Sequence, residues 1–276
     1  MKKDGKEAPA FTGTTDDIKI PTKDGSVEAR VYIPKGDGPF PTIFYIHGGG
    51  WVIADLDIYD SSPRGLCEMT KAVVVSTHYR QAPEYKFPAA HDDTWAAYQS
   101  VTQNAAKYKG DPKKVAIAGE SAGGNMAASI CFMAREQNVQ MPVHQLLIYP
   151  VLNYAFDTES YKKNEASKPL SAEGMKWFFK YYLASPEDGK NPRLSILRRD
   201  DLKGMPPATI IAAEIDPLLS EGKAYADKLQ AAGVAVKYQL YPNVTHEFFG
   251  MGAVVDEGKA AMTLAAQQLT AAFATK

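Results

Sequence analysis

The chain is 276 residues long, with 45% hydrophobic and 23% charged side chains and a formal net charge of −1. This balance excludes a disordered polymer and supplies no long-range field that would draw nucleic acid or an anionic membrane. Two cysteines, Cys67 and Cys131, are too few and too far apart for a disulfide framework or a zinc site, and both are expected to pack as small hydrophobes. No run of about 18 apolar residues offers a bilayer span, and the polar stretch 1–13 carries no secretory signal. A cytoplasmic, reducing setting is the resulting expectation.

In chain order, residues 16–33 read as an antiparallel hairpin at a sheet edge, with its second strand at 27–33. Strands are then predicted at 42–47, 72–78, 115–118, 145–149, 208–213 and 236–241. The inner ones are continuous apolar runs such as Ile43-Phe44-Tyr45-Ile46, which suits a sheet covered on both faces. Helical patterns at 89–108, 122–137, 220–232 and 257–273 lie between or after them. Strand and helix in alternation mean a mostly parallel α/β sheet with right-handed crossovers. The stretch 153–207 breaks this rhythm, because it is far longer than an ordinary connection. It holds an aromatic helical segment at 175–182 and proline-rich stretches at 185–192 and 205–207. It reads as a cap over a body formed by 1–152 and 208–276, or as a helix packed on the sheet edge.

Three features carry chemistry. Gly119-Glu120-Ser121-Ala122-Gly123 joins a strand to a helix, and a sharp turn of that kind exposes a serine hydroxyl beside a helix N-terminus. The plain alternative is a helix-capping serine. His47-Gly48-Gly49-Gly50-Trp51 follows a strand, so its amides can converge on an anion such as a tetrahedral acyl oxyanion. A nucleotide phosphate is the competing anion, but the third glycine of G-x-G-x-x-G and a Gly-Lys-Ser are both missing. A serine hydroxyl also needs a base oriented by an acid. Of the two histidines after Ser121, His144 opens a strand on the wrong side of the sheet, whereas His246 follows the strand 236–241 on the right side. The acid belongs after the strand 208–213, where Glu214 and Asp216 stand; Asp216, before Pro217, is preferred. His91-Asp92-Asp93 is rejected as a metal site because adjacent helical residues do not face one point.

Taken together, His47-Gly48-Gly49-Gly50, Tyr79-Arg80-Gln81-Ala82-Pro83-Glu84, Gly119-Glu120-Ser121-Ala122-Gly123-Gly124, Asp216-Pro217-Leu218 and His246 occur in the order seen in hormone-sensitive-lipase-like α/β-hydrolases, and the chain resembles their bacterial esterase branch from about Val27 onward. The resemblance implies an α/β-hydrolase fold and a serine carboxylesterase without metal or cofactor, acting on a small ester and water. It implies Ser121 as nucleophile, His246 as general acid and base, Asp216 as its orienter, and the Gly48, Gly49 and Ala122 amides as oxyanion hole. Glu120 is expected to support the turn, and Tyr79 to Glu84 with Asp93 to brace the site. Trp51, Trp177, Phe178 and Tyr181 are expected to line the substrate pocket. Pairing through the strand 236–241 would give a homodimer. The sequence departs from the family in its short segment before the first strand, which implies a reduced cap, and in Glu247, where glycine is frequent after the histidine. The same triad also serves an amidase, peptidase or lactonase, and a non-catalytic binding member of the fold is the remaining alternative.

Overall fold

A computed structural model describes residues 9–275, so most of the polar stretch 1–13 lies outside the described residues. Eight strands form one sheet in the order β1-β2-β4-β3-β5-β6-β7-β8. The expected edge hairpin is β1 (Thr14–Thr22) with β2 (Gly25–Ile33), antiparallel to each other, and β2 in turn runs antiparallel to its other neighbour β4 (Val73–Thr77). From β4 onward every pairing is parallel, through β3 (Phe40–Ile46), β5 (Gly110–Glu120), β6 (Gln145–Ile148), β7 (Ala208–Ile215) and β8 (Val236–Thr245). β4 and β6 are buried along their whole length, and β3 is buried from Thr42 onward. The edge strand β8 is only partly buried instead and extends beyond 241 to Thr245, directly before His246.

Helices cover both faces because successive strand residues point to opposite sides. On one face Phe44, Ile46, Val73, Val75 and Ile210 form a continuous core with α2 (Ala89–Asn104), α3 (Ala122–Glu136) and α6 (Leu219–Ala231), the last lying over β7 and β8. Ile43, Tyr45, Val74 and Ile148 pack with α1 (Ser61–Thr70) and α7 (Asp256–Ala274). Helix α1 escaped the sequence reading because Pro63 and Gly65 mask it. Proline in a first turn sacrifices no helical hydrogen bond, and a Cβ at Gly65 would press within 3.2 Å of the Met262 side chain on α7.

The long stretch between β6 and β7 folds into two parts. Its first part carries α4 (Glu159–Lys163) and α5 (Ala172–Tyr182), each started by a side-chain cap, Thr158 and Ser171. The C-terminal end of α5 is clamped to the β4–α2 loop, where Lys86 Nζ donates to the Tyr181 and Leu183 carbonyls and the Phe87 amide donates to the Tyr182 carbonyl. The remainder, after Ser185, descends the α3–α6 face. There Arg135 donates to the Asp201 and Lys203 carbonyls, and Lys228 donates to those of Leu197 and Arg199.

Burial places several titratable groups out of register with water. Desolvation lowers His47 and His91 to about 3 and His144 to about 4, lowers His78 as well, and raises Glu221 to about 8. A histidine depressed in the native state leaves the unfolded chain to bind the proton first, so stability falls as pH drops below about 6.5. Glu221 acts oppositely: its native proton stabilises the fold as pH falls from 8 towards its unfolded value of about 4.5. Four histidines outnumber one carboxyl, and each group changes stability by about 1.4 kcal/mol per pH unit while it titrates in one state only. The urea midpoint should therefore rise slightly from pH 8 to about 6.5 and then fall steeply towards pH 4.5. A flat midpoint across the lower range would contradict neutral buried imidazoles.

Candidate active site

The turn between β5 and α3 holds Ser121 at φ 55° and ψ −117°, a left-handed conformation that disfavours any side chain. Backbone bonds enforce it: the Ser121 amide donates to Ile148, and its carbonyl accepts from Asn125 and Val151. Close approach explains the flanking glycines. A Cβ at Gly123 would lie 2.0 Å from the Ile46 carbonyl oxygen, and one at Gly119 would lie 2.2 Å from that of Gly123. The serine therefore stands at the carboxyl end of the sheet, wedged against β3.

The three distant side chains converge. His246 Nε2 lies 3.0 Å from Ser121 Oγ, and its Nδ1 lies 2.7 Å from Asp216 Oδ2. Asp216 is fully buried after β7, where its Oδ1 accepts the Leu218 amide at 2.9 Å and its own carbonyl accepts from Asn164 Nδ2 at 3.0 Å. Ser160 Oγ of α4 donates to the neighbouring Pro217 carbonyl. Residues in and beside α4 thus brace the loop that carries Asp216. On its open face the imidazole packs against Tyr149, with ring centroids 4.4 Å apart. A line of hydroxyl, imidazole and carboxylate can draw the proton from Ser121 as it attacks a carbonyl.

Beside it, the loop after β3 is held from below. His47 Nδ1 donates to the Gly48 carbonyl at 2.8 Å, Tyr79 Oη donates to the same oxygen, and His47 Nε2 meets His78 Nδ1 at 3.0 Å. Gly49 sits at φ +99°, where a Cβ would strike the Ile53 carbonyl oxygen at 2.0 Å. Among the described residues, neither the Gly48 nor the Gly49 amide donates to a loop carbonyl. The amide of Ala122 is among the first of α3, whose leading N–H groups have no partner within the helix. Among the described residues these three amides are therefore not taken up by backbone carbonyls.

A cavity of about 190 Å³ opens on Ser121 and His246, lined also by Gly49, Ile53, Leu170, Met175, Phe178 and Glu247. Of the four aromatic residues expected in the pocket, only Phe178 reaches it. Trp51 is a correction: it is fully buried beneath α5 and stacks on Tyr182 with centroids 4.5 Å apart. Trp177 and Tyr181 are corrections too. They pair with each other beside Phe178, whose ring Trp177 meets edge-on at 5.2 Å, and Trp177 is 44% exposed. Leu170, Met175 and Ile53 gave no signal in sequence beyond apolarity.

Further polar groups support the site. Glu120 is buried behind the serine and accepts from Tyr45 Oη at 2.6 Å and from Tyr149 Oη at 2.5 Å. Arg80 forks onto Asp93 and pairs with Asp24. His91 Nε2 donates to Asn125 Oδ1 at 3.0 Å and Nδ1 accepts from Tyr182 Oη at 2.7 Å, tying α5 to α3. Among the described residues no His, Cys, Asp and Glu side chains cluster in a way that could hold a metal ion, and no helix is long and apolar enough to cross a membrane. Cys67 and Cys131 are both buried and unpaired.

Comparison with known proteins gives a consistent picture. Residues 43–250 match the alpha/beta hydrolase fold family. The chain is 38% identical to carboxylic ester hydrolase LipN of Mycobacterium tuberculosis over 241 residues, covering 85% of this chain and 64% of LipN, so it spans somewhat less than two thirds of that relative. It is 32% identical to an ethyl acetate hydrolase of Pseudomonas putida, over 92% of this chain and 81% of that protein. The esterase of Pyrobaculum calidifontis superposes with a TM-score of 0.93 at 37% identity, covering 97% of this chain and 88% of the other.

Proposed function

The chain belongs to the alpha/beta hydrolase family, in its hormone-sensitive-lipase-like branch, and from that premise we propose that it is a serine carboxylesterase for small acyl esters in which Ser121 is acylated. It is an ester hydrolase, as its relatives are, and an amidase, peptidase or lactonase reading finds no support among them. The observation that carries the assignment of roles is the unbroken line from Ser121 Oγ through His246 to Asp216 at 3.0 and 2.7 Å.

In the first half-reaction Ser121 Oγ attacks the ester carbonyl and its proton passes to His246 Nε2. Asp216 keeps Nδ1 protonated and stabilises the imidazolium. The Gly48, Gly49 and Ala122 amides receive the negative oxygen, and losing one such donor typically costs about 3–4 kcal/mol of barrier. His246 then protonates the departing alcohol. In the second half-reaction it takes a proton from water, which attacks the acyl-serine; the tetrahedral intermediate collapses, and the proton returns to Ser121 Oγ as the acid leaves.

The stretch 153–183 acts as the roof of this site, and Phe178 sets its depth. A Cβ added at Gly50 would strike the Phe178 ring at 2.2 Å, so the ring lies directly on the glycine loop. A cavity of about 190 Å³ is small beside the usual range for bound ligands, about 300–1,000 Å³, which favours acetyl to butyryl groups. On a series of p-nitrophenyl esters the wild type should peak at or below the butyryl ester. Phe178→Ala should move the optimum to longer chains and raise kcat/KM for the hexanoyl ester about tenfold, since each added methylene that becomes buried contributes roughly 0.8 kcal/mol. An unchanged profile would show that the acyl chain lies elsewhere.

A further inference from the structure

The residue after the base has no place in the mechanism above, yet it sits at the reaction centre. Glu247 adopts φ 75°, a left-handed conformation that suits glycine and strains any residue with a Cβ. Its side chain does not escape to water. Glu247 is buried, its Oε1 accepts from Tyr59 Oη at 2.6 Å, and the same oxygen lies 3.7 Å from His246 Nε2. A strained backbone and a desolvated carboxylate are both unfavourable, and they coincide at one position beside the catalytic nitrogen.

We propose that Glu247 is a positioning residue for His246, a second carboxylate that stabilises the imidazolium from the pocket side while Asp216 does so from behind. This rests on the triad reading given above. At 3.7 Å the oxygen stands beyond hydrogen-bond reach of Nε2, so in the resting enzyme Ser121 at 3.0 Å keeps that nitrogen. Once the proton has moved to Nε2, the full charge on the ring meets a carboxylate already fixed in place by Tyr59. Attraction grows in step with the charge that develops on the ring, which helps the transition states more than the resting state.

The groups facing His246 can be set out from each element packed on it. Asp216 approaches from the β7–α6 loop, Ser121 from the turn after β5, Tyr149 from the end of β6 and Glu247 from the loop of His246 itself. Glu120 accepts from Tyr45 and from Tyr149, the ring that packs on the imidazole. The hydroxyls of Tyr45, Tyr59 and Tyr149 are pushed well above their ordinary range by burial and remain neutral. Glu247 thus places a carboxyl oxygen on the Nε2 side, 3.7 Å from that nitrogen.

The test is the pH profile of kcat/KM for p-nitrophenyl acetate in the wild type, Glu247→Gln and Glu247→Gly. The glycine variant suits the backbone angle, so the fold is preserved even if the amide variant is not. The acid limb reports the imidazolium of the free enzyme. Removing a nearby negative charge should move that limb to lower pH by about one unit in both variants and lower kcat about tenfold. A limb that stays within about 0.2 units of wild type in both overturns the proposal, whatever happens to kcat, because an anchor for Tyr59 alone would not move it. Labelling of Ser121 by a fluorophosphonate separates the two readings. Failure to label the wild type sinks the triad assignment, whereas labelling with an unmoved limb sinks only the role of Glu247.

Discussion

Ser121→Ala is expected to lower kcat for p-nitrophenyl acetate by about 10⁵ to 10⁶, the size of loss seen when the nucleophile of a serine triad is removed. The loss should be chemical and not structural. Every backbone bond that fixes the turn uses the main chain of residue 121: its amide to Ile148, and its carbonyl from Asn125 and Val151. Alanine tolerates φ 55° no better and no worse than serine, since both carry a Cβ. Only the hydroxyl's bond to His246 disappears, so the thermal midpoint should stay within a few degrees of wild type. The variant keeps its amide donors and should retain a weak residual rate over water from them. It should also lose fluorophosphonate labelling entirely. Turnover close to wild type would mean that another group attacks the ester, and the assignment of roles would fall with it.

How much of this was legible without coordinates depends on the kind of signal each residue leaves. Ser121, Asp216 and His246 could be read because parallel strands place loop residues on one edge, so strand order and side of the sheet suffice to bring them together. The glycines around them were legible for a steric reason, as no side chain fits at Gly123 or Gly119. The aromatic run in α5 misled, because Trp177, Phe178, Phe179, Tyr181 and Tyr182 populate both faces of the helix and leave its rotational phase undetermined. Packing fixes the phase by burying Met175, Phe179 and Tyr182, which turns Phe178 to the cavity and Trp177 outward. Trp51 was misplaced for a related reason. It follows the glycine loop in sequence, but its own positive φ turns the ring away beneath the cap helix. Glu247 stood out only as a residue in place of the family's glycine, and its contact with Tyr59 left no readable pattern, since it spans 188 positions and depends on a backbone angle.

Asp216→Asn is expected to lower kcat about 10⁴-fold with KM little changed, and the reason is the proton's location. Asp216 Oδ1 accepts the Leu218 amide at 2.9 Å, so an asparagine at this position must turn its carbonyl oxygen to that donor. Its NH₂ then faces His246 Nδ1, where Oδ2 stood at 2.7 Å. Two donors cannot share that contact, so Nδ1 must give up its proton and Nε2 must carry one. The nitrogen that ought to take the proton from Ser121 is then occupied. Displacement of the ring is not required for the loss, because Tyr149 packs on the imidazole and is itself tied to Glu120. Nitrogen NMR of His246 should accordingly report the Nε2–H tautomer in the variant and Nδ1–H in the wild type at neutral pH. A variant within about tenfold of wild type, or one that keeps Nδ1–H, would show that Asp216 does not set the tautomer.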